Sequence, residues 1–176
     1  MRIEIGQYII RDWEYDDASA IIKYADNPKI AANLRDGFPY PYTLSDANAF
    51  LTNMIEKVPR SVFAIATKDE AIGSIGLMPG KDVHRLTAEL GYWLAEPYWN
   101  QGIMTSAVIA ITDFCLREFG LNRIYAEPYT TNHASARVLK KAGFRLEGIL
   151  RANVVKNGKV LDQFMYAKVR GDIKKE

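Results

Sequence analysis

The chain has 176 residues, 48% of them hydrophobic, and sets 23 Lys plus Arg against 21 Asp plus Glu for a net charge of +2. That length suits one domain with a substantial core, and interspersed charges argue against a nucleic-acid binder while suiting an anionic cofactor. A single cysteine, Cys115, excludes an intrachain disulfide, and an N-terminus with Glu4 and short apolar runs resembles neither signal peptide nor membrane span, so a cytoplasmic protein is expected.

Ile3–Ile10, rich in β-branched and aromatic residues, reads as a first strand. Tyr15–Ala25 carries a helical stripe through Ala18, Ile21, Ile22 and Ala25, closed by Asn27-Pro28. Asn33–Tyr42 contains Pro39 and Pro41 and reads as a shaped loop. Ser45 or Asp46 then caps a helix through Phe50, Leu51, Met54 and Ile55 that ends before Pro59. Ser61–Thr67 and Ala71–Met78 form an antiparallel hairpin, and Thr87–Leu94 supplies the next strand. Apolar residues at Ile103, Ala107, Ala110, Ile111, Phe114 and Cys115 predict a helix starting near Gly102 and stopped by Gly120. Arg123–Tyr129 reads as a strand, and Ala134–Ala142 as a helix ended by Gly143. Phe144–Val155 and Val160–Val169 pair around Asn157-Gly158, the preferred type I′ turn. No linker or repeat interrupts this order, so residues 1–176 are read as one domain.

The junction Trp99-Asn100-Gln101-Gly102-Ile103-Met104-Thr105 separates an apolar strand from an amphipathic helix. The first turn of a helix has N–H groups without intrahelical partners and a partial positive charge, so a glycine that admits a ligand there makes an anion site. Turn geometry alone also explains a glycine at such a junction, and both readings stand. Cys115 lies on the apolar face of the helix and reads as a buried structural thiol. His84 and His133 lie far apart with no second ligand set, so no metal is expected.

The order of elements, the Gly102 junction, and Asn132-x-x-Ser135 followed by Lys140-Lys141-Ala142-Gly143-Phe144 together resemble the GNAT superfamily of acetyl-CoA-dependent N-acetyltransferases. Glu89-Leu90-Gly91-Tyr92-Trp93-Leu94, Glu147-Gly148-Ile149-Leu150-Arg151, and Gly158-Lys159 with Asp162 are most similar to the subgroup that acetylates ribosomal-protein N-termini. The resemblance covers nearly the whole chain. It implies an α/β (α+β) fold, a mixed, mostly antiparallel twisted sheet of about seven strands flanked by four helices and splayed between strands four and five. It also implies acetyl-CoA as co-substrate. Tyr92, Trp93 and Leu94 would lie along the pantetheine arm, Asn100, Gln101, Gly102, Ile103, Met104 and Thr105 would cradle the diphosphate, and Asn132 would touch the pantetheine. Arg137 and Lys140 either face the CoA phosphates or form a solvated helix face. Asn100 stands where glycine is usual, and Met104 where glycine or alanine is usual.

Acyl transfer needs a neutral amine, a polarised thioester carbonyl and a stabilised thiolate. The resemblance implies a backbone N–H near Trp93 or Leu94 as oxyanion donor. Glu89 and Glu127, carboxylates in otherwise apolar strands, are candidates for the base, or else pair with an arginine or cap a sheet edge. Many members carry a tyrosine seven residues after the asparagine, where this chain has Leu139. Ser135 is then the hydroxyl for the CoA sulfur, or a helix cap or first-turn residue, and Tyr129 is a further phenol. The loop Asn33–Tyr42 and the C-terminal hairpin would build the acceptor cleft. Arg35, Asp36, Phe38 and Tyr40 are its contacts, with packing an equal reading of Phe38 and Tyr40. The implied reaction is direct attack on acetyl-CoA, in a ternary complex, by a primary amine, in first place the α-amine of a ribosomal or other protein or peptide N-terminus. The alternatives are a small amine, such as an amino acid or polyamine, or a non-catalytic acyl-CoA-binding sensor or interaction protein. Neither nucleic acid nor membrane is an expected partner, and a homodimer is expected only by analogy.

Overall fold

A computed structural model describes residues 1–172. Ile3–Ile10 is not one strand: β1 (Arg2–Ile5) and β2 (Tyr8–Arg11) are antiparallel, with Ile5 opposite Tyr8 across the loop Gly6-Gln7. Gly6, at φ +70°, takes the left-handed conformation that a two-residue hairpin loop demands. A 3-10 turn at Tyr15–Asp17 leads into α1 (Ala18–Ala25). Asn27-Pro28 does more than close that helix. Asn27 Oδ1 accepts the Lys29 N–H at 2.8 Å, and Pro28 opens a short helix, α2 (Pro28–Ala31). The cap of α3 (Leu44–Glu56) is Thr43 rather than Ser45 or Asp46. Asp46 is instead the return partner in a capping box, accepting the Thr43 N–H at 2.9 Å.

β3 (Val62–Ala66) and β4 (Ala71–Pro79) form the expected hairpin, followed by β5 (Thr87–Leu94), a 3-10 turn at Glu96–Tyr98, and α4 (Ile103–Glu118). β6 (Arg123–Ala126) ends before Tyr129, because Pro128 has no N–H for the ladder; Tyr129 rejoins as an isolated bridge to Gln163. α5 (His133–Lys141) stops at Gly143, φ +85°, where Phe144 N–H donates to Leu139 O at 3.0 Å and Gly143 N–H to Lys140 O at 3.2 Å. That pair of bonds is a Schellman motif, and Leu139 and Phe144 are both buried at its hydrophobic corner. β7 (Arg145–Lys156) and β8 (Lys159–Val169) turn at Asn157-Gly158, both with positive φ, as a type I′ turn requires.

Among the described residues there are thus eight strands and five α-helices, one more of each than expected. The strands form one sheet in the order β1-β2-β3-β4-β5-β6-β8-β7. β5 and β6 are parallel over Thr87–Glu89, while β6/β8 and β7/β8 are antiparallel. The chain divides into two compact units, and β4 and β5 contribute residues to both. The first unit, Met1–Gly76 with Tyr92–Ile103, has a core including Trp13, Ile21, Tyr42, Leu51 and Ala64, against which Phe38, Phe50 and Trp93 pack. The second, Leu77–Gly91 with the chain from Met104 onward, buries Val108, Ile111 and Cys115 of α4, Ile124 of β6 and Leu139 of α5. Among the described residues no helix is long and apolar enough to cross a membrane.

Candidate active site

The end of β5 is fixed by its neighbour. Ala95 N–H donates to Ile72 O at 2.8 Å, which sets residue 94 opposite residue 73. Antiparallel pairing alternates, so the Trp93 amide is directed at β4 and the amides of Tyr92 and Leu94 away from it. Of the two residues expected to supply an oxyanion donor, Leu94 is the one whose amide is directed away from β4. A Cβ added at Gly73 would lie 2.5 Å from Trp93 O and 3.1 Å from Leu94 Cα, so the strands can approach this closely only with glycine there. The Leu94 carbonyl is engaged as well, accepting the Trp99 Nε1–H at 2.7 Å.

Beyond β5 the backbone is tightly wound: Tyr98 N–H donates to Ala95 O at 3.0 Å and Trp99 N–H to Glu96 O at 3.1 Å. Asn100, at φ +60°, and Gly102, at φ +79°, then occupy the left-handed region. Asparagine is among the few side chains that tolerate it, which accounts for Asn100 where glycine is usual. Nothing lies within 4 Å of a Cβ built on Gly102, so the loop face is open there. Asn100, Gln101 and Gly102 are exposed and Thr105 is half-buried, whereas Ile103 and Met104 are buried. The Met104 side chain is thus turned inward and does not crowd the exposed loop. A sixteen-residue helix begins at Ile103, so its first-turn amides, which have no intrahelical partners, come directly after this exposed loop.

In the second unit, Glu89 is half-buried on β5 in register with Tyr125. Glu127 lies one residue past β6 rather than inside a strand, and its carbonyl accepts Gln163 Nε2–H at 2.5 Å. Gln163 is itself buried, and its Oε1 accepts Asn153 Nδ2–H at 2.7 Å. Asn132 caps α5 through its Oδ1, which accepts the Ser135 N–H at 3.1 Å. Ser135 is therefore a first-turn residue and not the cap. Leu139 is 0% exposed, so the position that carries a phenol in many relatives is a core position here. Tyr129 is buried, and Arg137 and Lys140 are exposed on α5. Burial pushes the Cys115 thiol up to about 12, which makes it a poor nucleophile and a packing residue. Among the described residues no group of His, Cys, Asp or Glu is placed to hold a metal ion.

The loop Asn33–Tyr42 belongs to the first unit. Phe38 is half-buried and packs on Tyr42, with ring centroids 5.1 Å apart, and on Trp93 at 6.1 Å. Tyr40 is 53% exposed, and Arg35 and Asp36 are exposed beside it. Asp26 Oδ1 accepts the Tyr42 N–H at 2.9 Å, and Asn33 Nδ2–H donates to Lys29 O at 3.0 Å. A residue that sequence reasoning missed lies in the same unit. Glu96 Oε2 accepts Asn27 Nδ2–H at 2.8 Å while Oε1 is ion-paired with Lys29 Nζ. Lys29 first, and Asn27 second, hold this carboxyl below the usual glutamate range. Its partners are 69 and 67 residues away in sequence, and no local pattern signals them.

A family model described as the acetyltransferase (GNAT) domain matches residues 7–145. The chain belongs to the GNAT acetyltransferase family. This GNAT chain is 29% identical over 168 residues to YnaD, an uncharacterized N-acetyltransferase of Bacillus subtilis (strain 168), covering 95% of this chain and 96% of that protein. It is 32% identical over 108 residues to the ribosomal-protein-serine acetyltransferase of Escherichia coli (strain K12), covering 61% of this chain and 60% of that protein. In fold it resembles the solved structure of a ribosomal L7/L12 alpha-N-protein acetyltransferase in complex with coenzyme A, with a TM-score of 0.86 at 22% identity over 96% of this chain and 98% of that one. As a GNAT member it is an acetyl-CoA-dependent N-acetyltransferase, with acetyl-CoA as its co-substrate.

Proposed function

We propose that this GNAT enzyme acetylates the α-amine of a protein or peptide N-terminus, acts as one domain over residues 1–176, and works in the cytoplasm. The observation that carries the substrate class is the 32% identity over 108 residues to a ribosomal-protein-serine acetyltransferase. In this reading the exposed backbone at Asn100, Gln101 and Gly102, with the α4 first-turn amides of Ile103, Met104 and Thr105, grips the CoA diphosphate, and Arg137 and Lys140 add charge toward the phosphates. Tyr92, Trp93 and Leu94 line the pantetheine, with the Leu94 N–H as donor to the thioester carbonyl, and Asn132 offers it the Nδ2 left outside the helix cap. Glu89 is the first choice for the base and Glu127 the second, while Ser135 donates to the departing thiolate. Arg35, Asp36 and Tyr40 meet the acceptor, and Phe38 holds their loop.

Direct attack by a positioned amine draws most of its rate from orientation and from a donor already aimed at the carbonyl oxygen. A core leucine at position 139 is compatible with that route, because thiolate departure then rests on hydrogen bonding rather than on a phenolic acid. The test is thiol release from acetyl-CoA with three acceptors: a peptide with only an α-amine, the same peptide blocked at Nα and carrying one lysine, and spermidine. Release and a mass gain of one acetyl group are expected only with the first. Equal or faster turnover of the lysine peptide or of spermidine would overturn the substrate class while leaving the family assignment intact.

A further inference from the structure

We propose that Glu96 is a positioning residue that ties the loop Asn33–Tyr42 to the loop Trp99–Ile103, so that CoA binding at the second also orders the first. The proposal rests on the cofactor reading above for residues 99–103, and all of its contacts lie within the first unit.

Glu96 begins the 3-10 turn that carries the chain from β5 toward Gly102, and its own carbonyl accepts the Trp99 N–H. Its carboxylate reaches the α1–α2 junction, taking Asn27 Nδ2–H on one oxygen and Lys29 Nζ on the other. That junction holds both ends of the acceptor-side loop. Asp26, one residue before Asn27, accepts the Tyr42 N–H, and the Lys29 carbonyl accepts Asn33 Nδ2–H. Asn27 also caps α2, so a shift of its side chain is a shift of the helix start. On the same turn Tyr98 is set edge-on between two further rings, Tyr8 at 6.3 Å and Tyr24 at 6.1 Å, and Gln101 Oε1 accepts from Tyr8 Oη at 3.5 Å. Aromatic packing therefore fixes the turn as a body, while the carboxylate is its polar link to the α1–α2 junction. A surface ion pair contributes little to global stability. Two residues of the junction bound to two oxygens of one carboxylate do, however, fix an orientation, which a single contact would leave loose.

The experiment is hydrogen exchange read by mass spectrometry on the full chain, with and without saturating CoA. In the wild type, CoA slows exchange in Trp99–Ile103 and also at the Phe38 and Tyr42 amides, the second effect by roughly fivefold, the low end of measured site-to-site couplings. In Glu96→Ala the first effect persists and the second is lost. Glu96→Gln keeps an acceptor for Asn27 but loses the charge for Lys29, and restores part of the second effect. Lys29→Met, which leaves the Lys29 backbone, the α2 cap and the Asn27 bond in place, removes the ion pair from the other side, is expected to weaken the second effect as Glu96→Gln does, and serves should Glu96→Ala fold poorly. Wild-type protection at Trp99–Ile103 with none at Phe38 and Tyr42 would overturn the proposal while the cofactor reading stands. So would protection at Phe38 and Tyr42 that survives Glu96→Ala and is undiminished in Lys29→Met, since it would then come from direct contact with CoA. Binding of CoA without protection at Trp99–Ile103 would overturn the cofactor reading of that loop and this proposal together.

Discussion

Glu89 and Glu127 share a residue type and differ in how the backbone holds them. Glu89 is anchored inside a strand that pairs on both sides, so its Cα is fixed by β-sheet on either hand. Glu127 sits past the end of β6, where the Gln163 side chain restrains its carbonyl in place of a ladder. A general base needs a fixed distance to the proton it takes, and the strand residue meets that need better. Glu89→Gln, which preserves shape, is expected to lower kcat by about 100-fold or more with CoA affinity unchanged, whereas Glu127→Gln lowers it by less. Steady-state kinetics beside calorimetric titration of CoA checks this, and an unchanged kcat in Glu89→Gln would remove it from the mechanism. At this scale the sequence made residues 99–105 visible, because a glycine between two clear periodicities is a local signal. The capping role of Asn132 is equally local, three residues from Ser135, although the sequence offers Ser135 as a cap just as readily. The hold of Gln163 on Glu127 spans 36 residues, and the grip on Glu96 spans more, so neither leaves a trace in spacing.

Among elements, what could be read was what repeats. The α4 stripe, the β3–β4 hairpin and the Asn157-Gly158 turn each rest on a period or on a residue pair with one favoured conformation. The β1–β2 hairpin is not legible because Ile3–Ile10, rich in β-branched and aromatic residues, looks like one strand until Gly6 is granted its positive φ. α2 escaped because four residues show no period, although Asn27-Pro28 is a helix-start signature in its own right. Gly73 shows an element-level constraint that neither a period nor a favoured residue pair signals, since its role is to let two backbones approach rather than to turn the chain. Gly73→Ala places a Cβ 2.5 Å from the Trp93 carbonyl, and backbone on that side cannot yield as a flexible side chain can. The strand end that carries the Leu94 amide must then move. The expected cost is about 1–3 kcal/mol of stability, together with a fall in kcat that is larger than the fall in CoA affinity. Denaturant titration and kinetics on the same protein would test it, and wild-type values for both would show that β5 adjusts without consequence.

Over the whole molecule, ionisable groups bound the pH range of stability from both sides. Hydrogen bonds and ion pairs lower the folded-state pKa of Glu70, through Lys23 and Tyr24, of Glu96, through Lys29 and Asn27, and of Glu147, through Arg123, each from 4.5. Thr43 lowers that of Asp46 from 3.8. A carboxyl with a depressed folded pKa binds a proton more readily in the unfolded chain, so its contribution is full above the unfolded value and is lost as pH falls through the folded one. Burial acts in the opposite sense on Tyr42 and Cys115, pushing each up to about 12 from 10.0 and 9.0 respectively. Those two groups stabilise the fold below their unfolded values and lose that contribution as pH rises toward 12, because the unfolded chain ionises first. The thermal midpoint should therefore be flat from about pH 5 to about pH 8.5, fall below that window as the carboxyls protonate, and fall above it as the unfolded thiol and phenol ionise. Scanning fluorimetry across this range separates the two limbs. Glu96→Gln and Glu147→Gln should flatten the acid limb and leave the alkaline one, while Cys115→Ala lowers the midpoint throughout and makes the alkaline limb shallower. An acid limb unchanged in both glutamine variants would mean that these exposed pairs carry no net linkage and that the acid sensitivity arises elsewhere in the chain.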